Sequence, residues 1–214
     1  LGELFGGTSG MLVANLKAAG YNAGDIDVIL LTHIHGDHSG GLSIKGSPVF
    51  SNAMVYVDKR DPEHWLSREE EAKVPADRKS TFEQSHQTVD PVIQAGKLKT
   101  FDGASSLFEG VTAVPERGHT PGMTGYMFES ESERLYVWGD IIHSTEVQFA
   151  DPSVTIAYDV NAEEAADTRR DVLARAAEEG FMVGGAHISF PGVGRVRKVG
   201  NTYAWVPEPY MAKP

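Results

Sequence analysis

The sequence predicts a mixed α/β fold, because short apolar segments typical of strands alternate with helical segments along its 214 residues. The apolar run 27–32 is typical of a buried strand. Asn161 precedes the segment 162–179, which has acidic residues at its start, as expected for a capped helix. From residue 98 onward, short strand patterns are separated by turns. We expect a single domain over 1–214, since a chain of this length suits one sizeable core.

The individual elements follow from the same patterns along the chain. The predicted helices cover 11–17, several segments within 62–95, and 162–179. The predicted strands cover 27–32, 54–57, 111–115, 124–128, 134–138 and 181–183, with a closing hairpin over 195–206. Thr8 or Ser9 is predicted to cap the first helix and Gly20 to end it. Several strands end just before a His or an Asp, where α/β sheets commonly build ligand sites.

Composition narrows the classes of function. The 19 Lys and Arg against 30 Asp and Glu give a net charge of −11, which argues against a nucleic-acid partner, since a phosphate backbone requires a basic surface. The chain has no cysteine, so disulfides, thiolate metal ligands and cysteine nucleophiles are excluded. No apolar run reaches the ~18 residues that a membrane span needs. The N-terminus has no signal-peptide pattern, and both cytoplasm and periplasm stay open as compartments.

Residues 32–41 carry the most informative pattern in the chain. Three imidazoles and one carboxylate lie within six residues, as His33, His35, Asp37 and His38. So many polar groups directly after a buried strand are costly unless they bind something, and a chance cluster in a surface loop is the less favoured alternative. Imidazole nitrogens and carboxylate oxygens suit zinc, with manganese, iron or cobalt as substitutes. Thr32 and Ser39 are candidates to orient these ligands.

Three further candidate ligands each follow a predicted strand. His119 lies in the turn Gly-His-Thr-Pro-Gly at 118–122, Asp140 follows Gly139, and His187 follows Gly-Gly-Ala. Each is ambiguous alone, because a polar residue in the turn after a strand is common. The four segments in this order are much more specific than any one of them.

In this order the motifs resemble those of the metallo-β-lactamase fold superfamily. The similarity is closest to its methyl parathion hydrolase-like branch, on the stretches 147–155 and 186–192. The resemblance covers nearly the entire chain and implies a four-layer αββα sandwich, with metals at one edge between two mixed sheets. The strands that precede the first helix in the branch are not in this sequence, so we expect the sandwich to lack its N-terminal strands. The branch also suggests a homodimer.

The resemblance implies a site for two divalent metal ions. One ion would be held by His33, His35 and His119, the other by Asp37, His38 and His187, with Asp140 bridging both. Such a pair activates a water near neutral pH and polarises the group under attack, so no Ser or Cys nucleophile is required. Asp37 and Asp140 are then the catalytic carboxylates, and Asp37 also a candidate to pass a proton to the leaving group. The missing cysteines exclude those β-lactamase classes that use a Cys ligand.

Four residues are predicted to contact a small-molecule substrate, namely Trp65, Phe82, His143 and Tyr158. The aromatic side chains resemble pocket positions of the branch and favour flat, apolar acyl or aryl groups, while core packing is their alternative role. We predict hydrolysis of lactones or aryl esters, with organophosphate triesters as a secondary substrate class. The alternatives are a thioester hydrolase of the glyoxalase II kind, which the acidic composition disfavours, and a metal-binding scaffold without catalysis.

Overall fold

The computed structural model describes Gly6 and residues 9–210, which divide into two units at residue 102. We call residues 1–102 the N-terminal unit and residues 103–214 the C-terminal unit. Each unit has its own sheet and its own cluster of buried apolar side chains. The single domain predicted over 1–214 stays a prediction.

A parallel sheet forms the centre of the N-terminal unit. Its described strands are β1 (Val28–Leu30), β4 (Met54–Asp58) and β5 (Leu98–Phe101), in the order β1-β4-β5, and a hairpin of β2 (Ser43–Ile44) and β3 (Ser47–Pro48) lies apart. The described helices are α1 (Leu12–Ala18), α2 (Gly36–Ser39), α3 (Arg60–Trp65), α4 (Arg68–Lys73) and α5 (Lys79–Gln94). Strand β4 pairs in parallel with a strand on each side, and one of its faces is fully buried, since Val55 and Val57 lie on the same face and are 2% and 0% exposed.

A longer mixed sheet forms the C-terminal unit, with the order β12-β11-β10-β9-β8-β7-β6 among its described strands. These strands are β6 (Ser105–Phe108), β7 (Val111–Pro115), β8 (Thr124–Ser130), β9 (Glu133–Val137), β10 (Met182–Gly184), β11 (Val193–Val199) and β12 (Thr202–Pro207). Only β9 and β10 pair in parallel within this set, so the chain between them crosses over through α6 (Thr145–Gln148) and α7 (Ala162–Glu179). Helix α7 packs on β11 and buries Val172 and Leu173 in the core.

Most predicted elements are confirmed, with differences at their ends. The strand predicted over 27–32 is only Val28–Leu30, because the chain then turns into the His-rich loop. The prediction of Ser9 as a helix cap is wrong: α1 has Met11 at its N-cap and no side-chain cap, while Thr8 lies outside the described residues. Among the described residues, none of the helices combines the length and apolar character needed to cross a bilayer.

Candidate metal centre

The His-rich loop begins where β1 ends and contains the first ligand set, which is His33, His35, Asp37 and His38. His33 and His35 are buried, at 0% and 8% exposure. Their ring centroids lie 4.8 Å apart, and the His33 and His38 centroids lie 4.1 Å apart. Asp37 Oδ2 lies 3.4 Å from His38 Nε2, and the Asp37 side chain is 38% exposed. The loop therefore gathers three imidazoles and one accessible carboxylate.

Buried polar side chains of the N-terminal unit hold this loop by its backbone. Asp61 Oδ2 accepts the Ile34 N–H at 2.7 Å, and Ser85 Oγ donates to the Ile34 carbonyl at 2.8 Å. Ser39 Oγ donates to the His35 carbonyl at 2.9 Å, and Thr32 Oγ1 lies 3.2 Å from His33 Nδ1. Thr32 and Ser39 thus contact His33 and His35, while their role in orienting metal ligands stays a prediction. Asp61 and Ser85 had no local sequence signal, because they lie 27 and 51 residues from Ile34.

Asp61→Ala is expected to lower the free energy of unfolding by about 1 to 3 kcal/mol, because the buried Ile34 N–H loses its acceptor. Asp61→Asn is the matched control, since its amide oxygen can still accept that hydrogen bond. Urea unfolding of the metal-free variants measures both changes. Equal losses for Ala and Asn would show that the Ile34 hydrogen bond is not what Asp61 contributes.

The second ligand set lies in the C-terminal unit and is centred on one carboxylate oxygen. Asp140, 3% exposed, follows β9, while His119 and His187 follow β7 and β10. Asp140 Oδ2 lies 3.3 Å from His119 Nε2 and 3.2 Å from His187 Nε2. It also lies 3.0 Å from His143 Nε2. The structure therefore brings together His119, Asp140 and His187, with His143 beside them.

His119 is oriented by a carboxylate that the sequence analysis missed. Asp159 Oδ1 lies 2.9 Å from His119 Nδ1, and both side chains are almost fully buried. Burial disfavours the charged imidazole, but hydrogen bonds to Asp140 and Asp159 hold the pKa of His119 above its usual value. Burial likewise opposes ionisation of Asp159, yet its hydrogen bonds with His119 and the Ile156 N–H lower its pKa. Asp159 lies 40 residues from His119 in an irregular segment, which gives no sequence signal.

The donors of both sets fit divalent metal ions. A His that binds a metal through one ring nitrogen usually donates the N–H of its other ring nitrogen to a carboxylate, a backbone carbonyl or water. This hydrogen bond orients the coordinating nitrogen toward the metal. His119 has this arrangement, with Nδ1 on Asp159 and Nε2 toward Asp140. The first set offers three imidazoles and one carboxylate, the second offers two imidazoles and one carboxylate, and zinc accepts both types of donor.

The four predicted substrate residues have different surroundings. Trp65 and Phe82 are 5% and 1% exposed and pack against each other in the apolar cluster of the N-terminal unit, with ring centroids 4.9 Å apart and ring planes tilted by 57°. Trp65 also contacts the His35 ring at 4.8 Å. His143 stacks on His187 with centroids 4.8 Å apart, whereas Tyr158 is 65% exposed. Trp65 and His143 thus contact candidate ligands directly, and Phe82 lies behind Trp65.

Glu116 is a buried carboxylate of the C-terminal unit outside the ligand sets. Its side chain is 1% exposed, accepts a short hydrogen bond from the Tyr136 hydroxyl, and lies 3.3 Å from Arg175 Nη2. Burial raises the pKa of Glu116 to about 8, although the Tyr136 hydrogen bond and Arg175 oppose that shift. The folded chain therefore keeps a proton on Glu116 that the unfolded chain loses near its ordinary pKa of 4.5.

Stability is expected to fall as pH rises from about 4.5 to about 8, and Glu116→Gln should remove this component. The sign follows because the folded state binds the extra proton throughout this interval, with a limiting slope of about 1.4 kcal/mol per pH unit. Urea unfolding of metal-free wild type and variant at several pH values isolates the difference from other titrating groups. A difference that does not change with pH would contradict the raised pKa.

Comparisons with known proteins agree with this architecture. A model of the metallo-beta-lactamase superfamily matches residues 5–187. The crystal structure of the hydrolase AbOPH, of the beta lactamase superfamily, superposes with a TM-score of 0.91 at 34% identity, covering 97% of this chain and 73% of that one. The structure of AidC, a dizinc quorum-quenching lactonase in complex with a product, superposes with a TM-score of 0.87 at 27% identity, covering 95% of this chain and 71% of that one.

Curated sequences give a more partial match. An N-acyl homoserine lactonase of Bacillus cereus is 26% identical over 124 residues, which are 58% of this chain and 41% of that protein. The lactonase AiiA of Bacillus thuringiensis subsp. kurstaki is 27% identical over 120 residues, 56% of this chain and 40% of that protein. The match thus spans about two fifths of the length of these relatives. The comparisons confirm the mixed α/β fold of this superfamily and support two divalent metals, while the methyl parathion hydrolase-like branch stays a prediction.

Proposed function

Because the chain belongs to the metallo-beta-lactamase superfamily, we propose that it acts as a binuclear metal-dependent hydrolase whose first substrates are lactones or aryl esters. The observation that carries this proposal is the environment of Asp140. One buried oxygen of Asp140 has the Nε2 atoms of two proposed ligands, His119 and His187, within 3.3 Å, and the His143 Nε2 atom lies 3.0 Å away, which supports a bridging role for Asp140. Imidazoles gathered around a buried carboxylate are costly unless they bind a shared ligand.

The ligand assignment follows the resemblance and remains part of the proposal. His33, His35 and His119 would hold one ion, Asp37, His38 and His187 the other, and Asp140 both. Two features support it. A ring nitrogen of His33 lies within 4.8 Å of a ring nitrogen of His35, and a ring nitrogen of His187 lies within 4.8 Å of a carboxylate oxygen of Asp140. Zinc suits this donor set, with manganese, cobalt or iron as alternatives.

The chain's own residues then have defined tasks in the reaction. Two bound divalent ions supply an activated water and polarise the carbonyl under attack. Asp159 keeps the His119 proton at Nδ1 and so presents Nε2 as a neutral donor nitrogen. Asp37, the more exposed of the two carboxylates in the ligand sets, would accept the proton released by the attacking water and pass it to the leaving oxygen.

The substrate class is inferred from side chains beside the ligands. His143, 18% exposed, offers a ring N–H to an acyl or lactone oxygen. Trp65 supplies an apolar aromatic ring next to His35, with Phe82 packed behind it, which suits an apolar acyl or aryl group. Tyr158 is accessible and would contact a substrate from outside. Lactonases among the relatives favour the lactone, and organophosphate triester hydrolysis would be a secondary activity.

The remaining predicted properties stay proposals. The net charge of −11 supports a small neutral substrate rather than nucleic acid, because a polyanion would be repelled. The same charge disfavours a glutathione thioester. A homodimer is proposed from the resemblance alone.

The proposal is tested with a panel of an N-acyl homoserine lactone, a chromogenic aryl ester, a thioester and a phosphotriester, each assayed with zinc, manganese and cobalt. We expect kcat/KM for the lactone or aryl ester to exceed the other two at least about tenfold, which corresponds to about 1.4 kcal/mol of transition-state free energy. Comparable rates on all four would refute the ranking. Bound metal without any turnover would favour the scaffold alternative.

A pair of histidine variants controls for general effects of removing an imidazole. His119→Ala should abolish turnover, because His119 is one of the proposed ligands. His86→Ala should leave turnover unchanged, since His86 pairs with Asp90 on α5 at 2.9 Å and belongs to neither ligand set. Equal losses in the two variants would contradict the ligand assignment.

A further inference from the structure

We propose that Arg169 is a positioning residue of the metal centre, which fixes the segment 140–159 and, through it, Asp140 and His119. This inference rests on the proposed function, because it assigns Arg169 a task toward the same ligands. Arg169 lies on α7, is 1% exposed, and is not itself a ligand.

The guanidinium of Arg169 binds three backbone carbonyls of this segment. Nε donates to the Ile141 carbonyl at 2.7 Å, directly after Asp140. Nη1 donates to the carbonyls of Pro152 at 2.9 Å and Val154 at 2.8 Å. One side chain therefore connects the residue that follows the bridging ligand with a stretch of chain more than ten residues later.

The same guanidinium reaches His119 through one intermediate side chain. Arg169 Nη2 lies 4.0 Å from Asp159 Oδ2, and Asp159 Oδ1 lies 2.9 Å from His119 Nδ1. The cation thus attracts the far oxygen of the carboxylate that orients the His119 ring. Its loss would remove a charge that holds Asp159 in place, and the ring would lose a fixed orientation.

Gln148 also hydrogen-bonds the backbone of the segment 140–159. It is 1% exposed, and its Oε1 accepts the N–H groups of His143 at 2.7 Å and Ser144 at 3.2 Å. Its Nε2 donates to the Val154 carbonyl at 3.0 Å, which Arg169 also binds. Arg169 and Gln148 therefore meet at one carbonyl, and together they fix the backbone on both sides of α6.

The need for such support lies in the secondary structure of the segment. Between β9 and α7, the only helix in the described chain is the four-residue α6. Most carbonyls there therefore lack the regular backbone hydrogen bonds of a helix or a sheet. A buried arginine can donate hydrogen bonds to several carbonyls at once, because the N–H groups of its planar guanidinium point in fixed directions. A lysine at this position keeps the charge but cannot reach the Ile141 and Val154 carbonyls with the same geometry.

The test separates positioning from stability. Arg169→Met and Arg169→Lys are compared with Leu173→Ala, which removes a fully buried apolar side chain from the same helix but no hydrogen bond to the segment 140–159. Two quantities are measured on the full chain: the zinc dissociation constant, by competition with a chelator, and the melting temperature of the metal-free protein. The esterase or lactonase kcat and KM are measured on the loaded protein.

We expect both Arg169 variants to bind zinc at least about tenfold more weakly, with kcat lowered more than KM is changed. Leu173→Ala should melt earlier and still bind zinc as wild type does. Zinc affinity unchanged in the Arg169 variants, or lost equally in Leu173→Ala at the same drop in melting temperature, would overturn the inference. If Arg169→Met fails to fold, Arg169→Lys alone decides between these results.

The same data distinguish this inference from the proposed function. A wild-type chain that binds no zinc and no other divalent ion would refute the proposed function and the positioning role with it. A wild-type chain that binds two ions, alongside an Arg169 variant that binds them equally well, would refute the positioning role alone.

Discussion

Asp140→Ala is expected to lower kcat/KM for the best lactone or aryl ester by at least about 100-fold. Asp140 is the only side chain with three imidazoles on one oxygen within the described chain, and the proposed assignment gives it contact with both ions. Changes to residues one step further from a metal already cost about 10- to 100-fold in affinity or activity. Loss of the bridging carboxylate itself should therefore cost more.

Metal content measured beside the rate makes this prediction specific. Asp140→Ala should purify with less than the wild-type amount of bound metal, and excess zinc should restore little activity. Asp167→Ala is the matched control, because Asp167 is an exposed carboxylate on α7 that pairs with the neighbouring Arg170 and belongs to neither ligand set. Full activity of Asp140→Ala at wild-type metal content would contradict the bridging role.

Gly118→Ala is expected to destabilise the fold by about 3 to 5 kcal/mol or to prevent soluble expression. Gly118 has φ +122°, a backbone conformation that L side chains rarely adopt, and that strain costs about 1 to 3 kcal/mol. A Cβ at this position would also overlap backbone atoms of Ala165 on α7, which cannot move as a flexible side chain can. The substitution therefore pushes the turn that carries His119 away from the helix.

Gly180→Ala provides the control for backbone strain without a clash. Gly180 ends α7 with φ +67°, and no atom lies within 4 Å of a Cβ built there. It should cost only about 1 kcal/mol. Chemical denaturation of both variants gives the comparison, and similar losses at the two glycines would show that contact with Ala165 does not matter.

Candidate ligands and structural elements that are marked by neighbouring residues in the sequence could be predicted. His33, His35, Asp37 and His38 follow a buried strand within one short loop, so spacing alone indicates a ligand set. His119, Asp140 and His187 each follow a strand, and their order along the chain carried the resemblance. The closing hairpin and the helix capped by Asn161 were also predictable, because turn and cap residues act on their neighbours.

Residues that act through contacts with distant parts of the chain could not be predicted. Asp61 accepts a hydrogen bond from Ile34 across 27 residues, and Asp159 orients His119 across 40 residues. Arg169 has no distinguishing signal within the highly charged segment 162–179, yet it is buried. The pattern of a single sequence indicates whether a residue lies on the buried or the exposed face of its helix or strand. It does not indicate which distant backbone group the side chain will hydrogen-bond. The irregular segment before α7 has no periodicity from which such contacts could be inferred.

The most direct test of the central claim is a crystal structure of the zinc-loaded chain with anomalous diffraction recorded at the zinc absorption edge. We predict two strong anomalous peaks about 3.5 Å apart, with Asp140 touching both and the remaining six proposed ligands divided between them. A single peak, or peaks bound by other residues, would contradict the binuclear centre on which the proposed hydrolase depends.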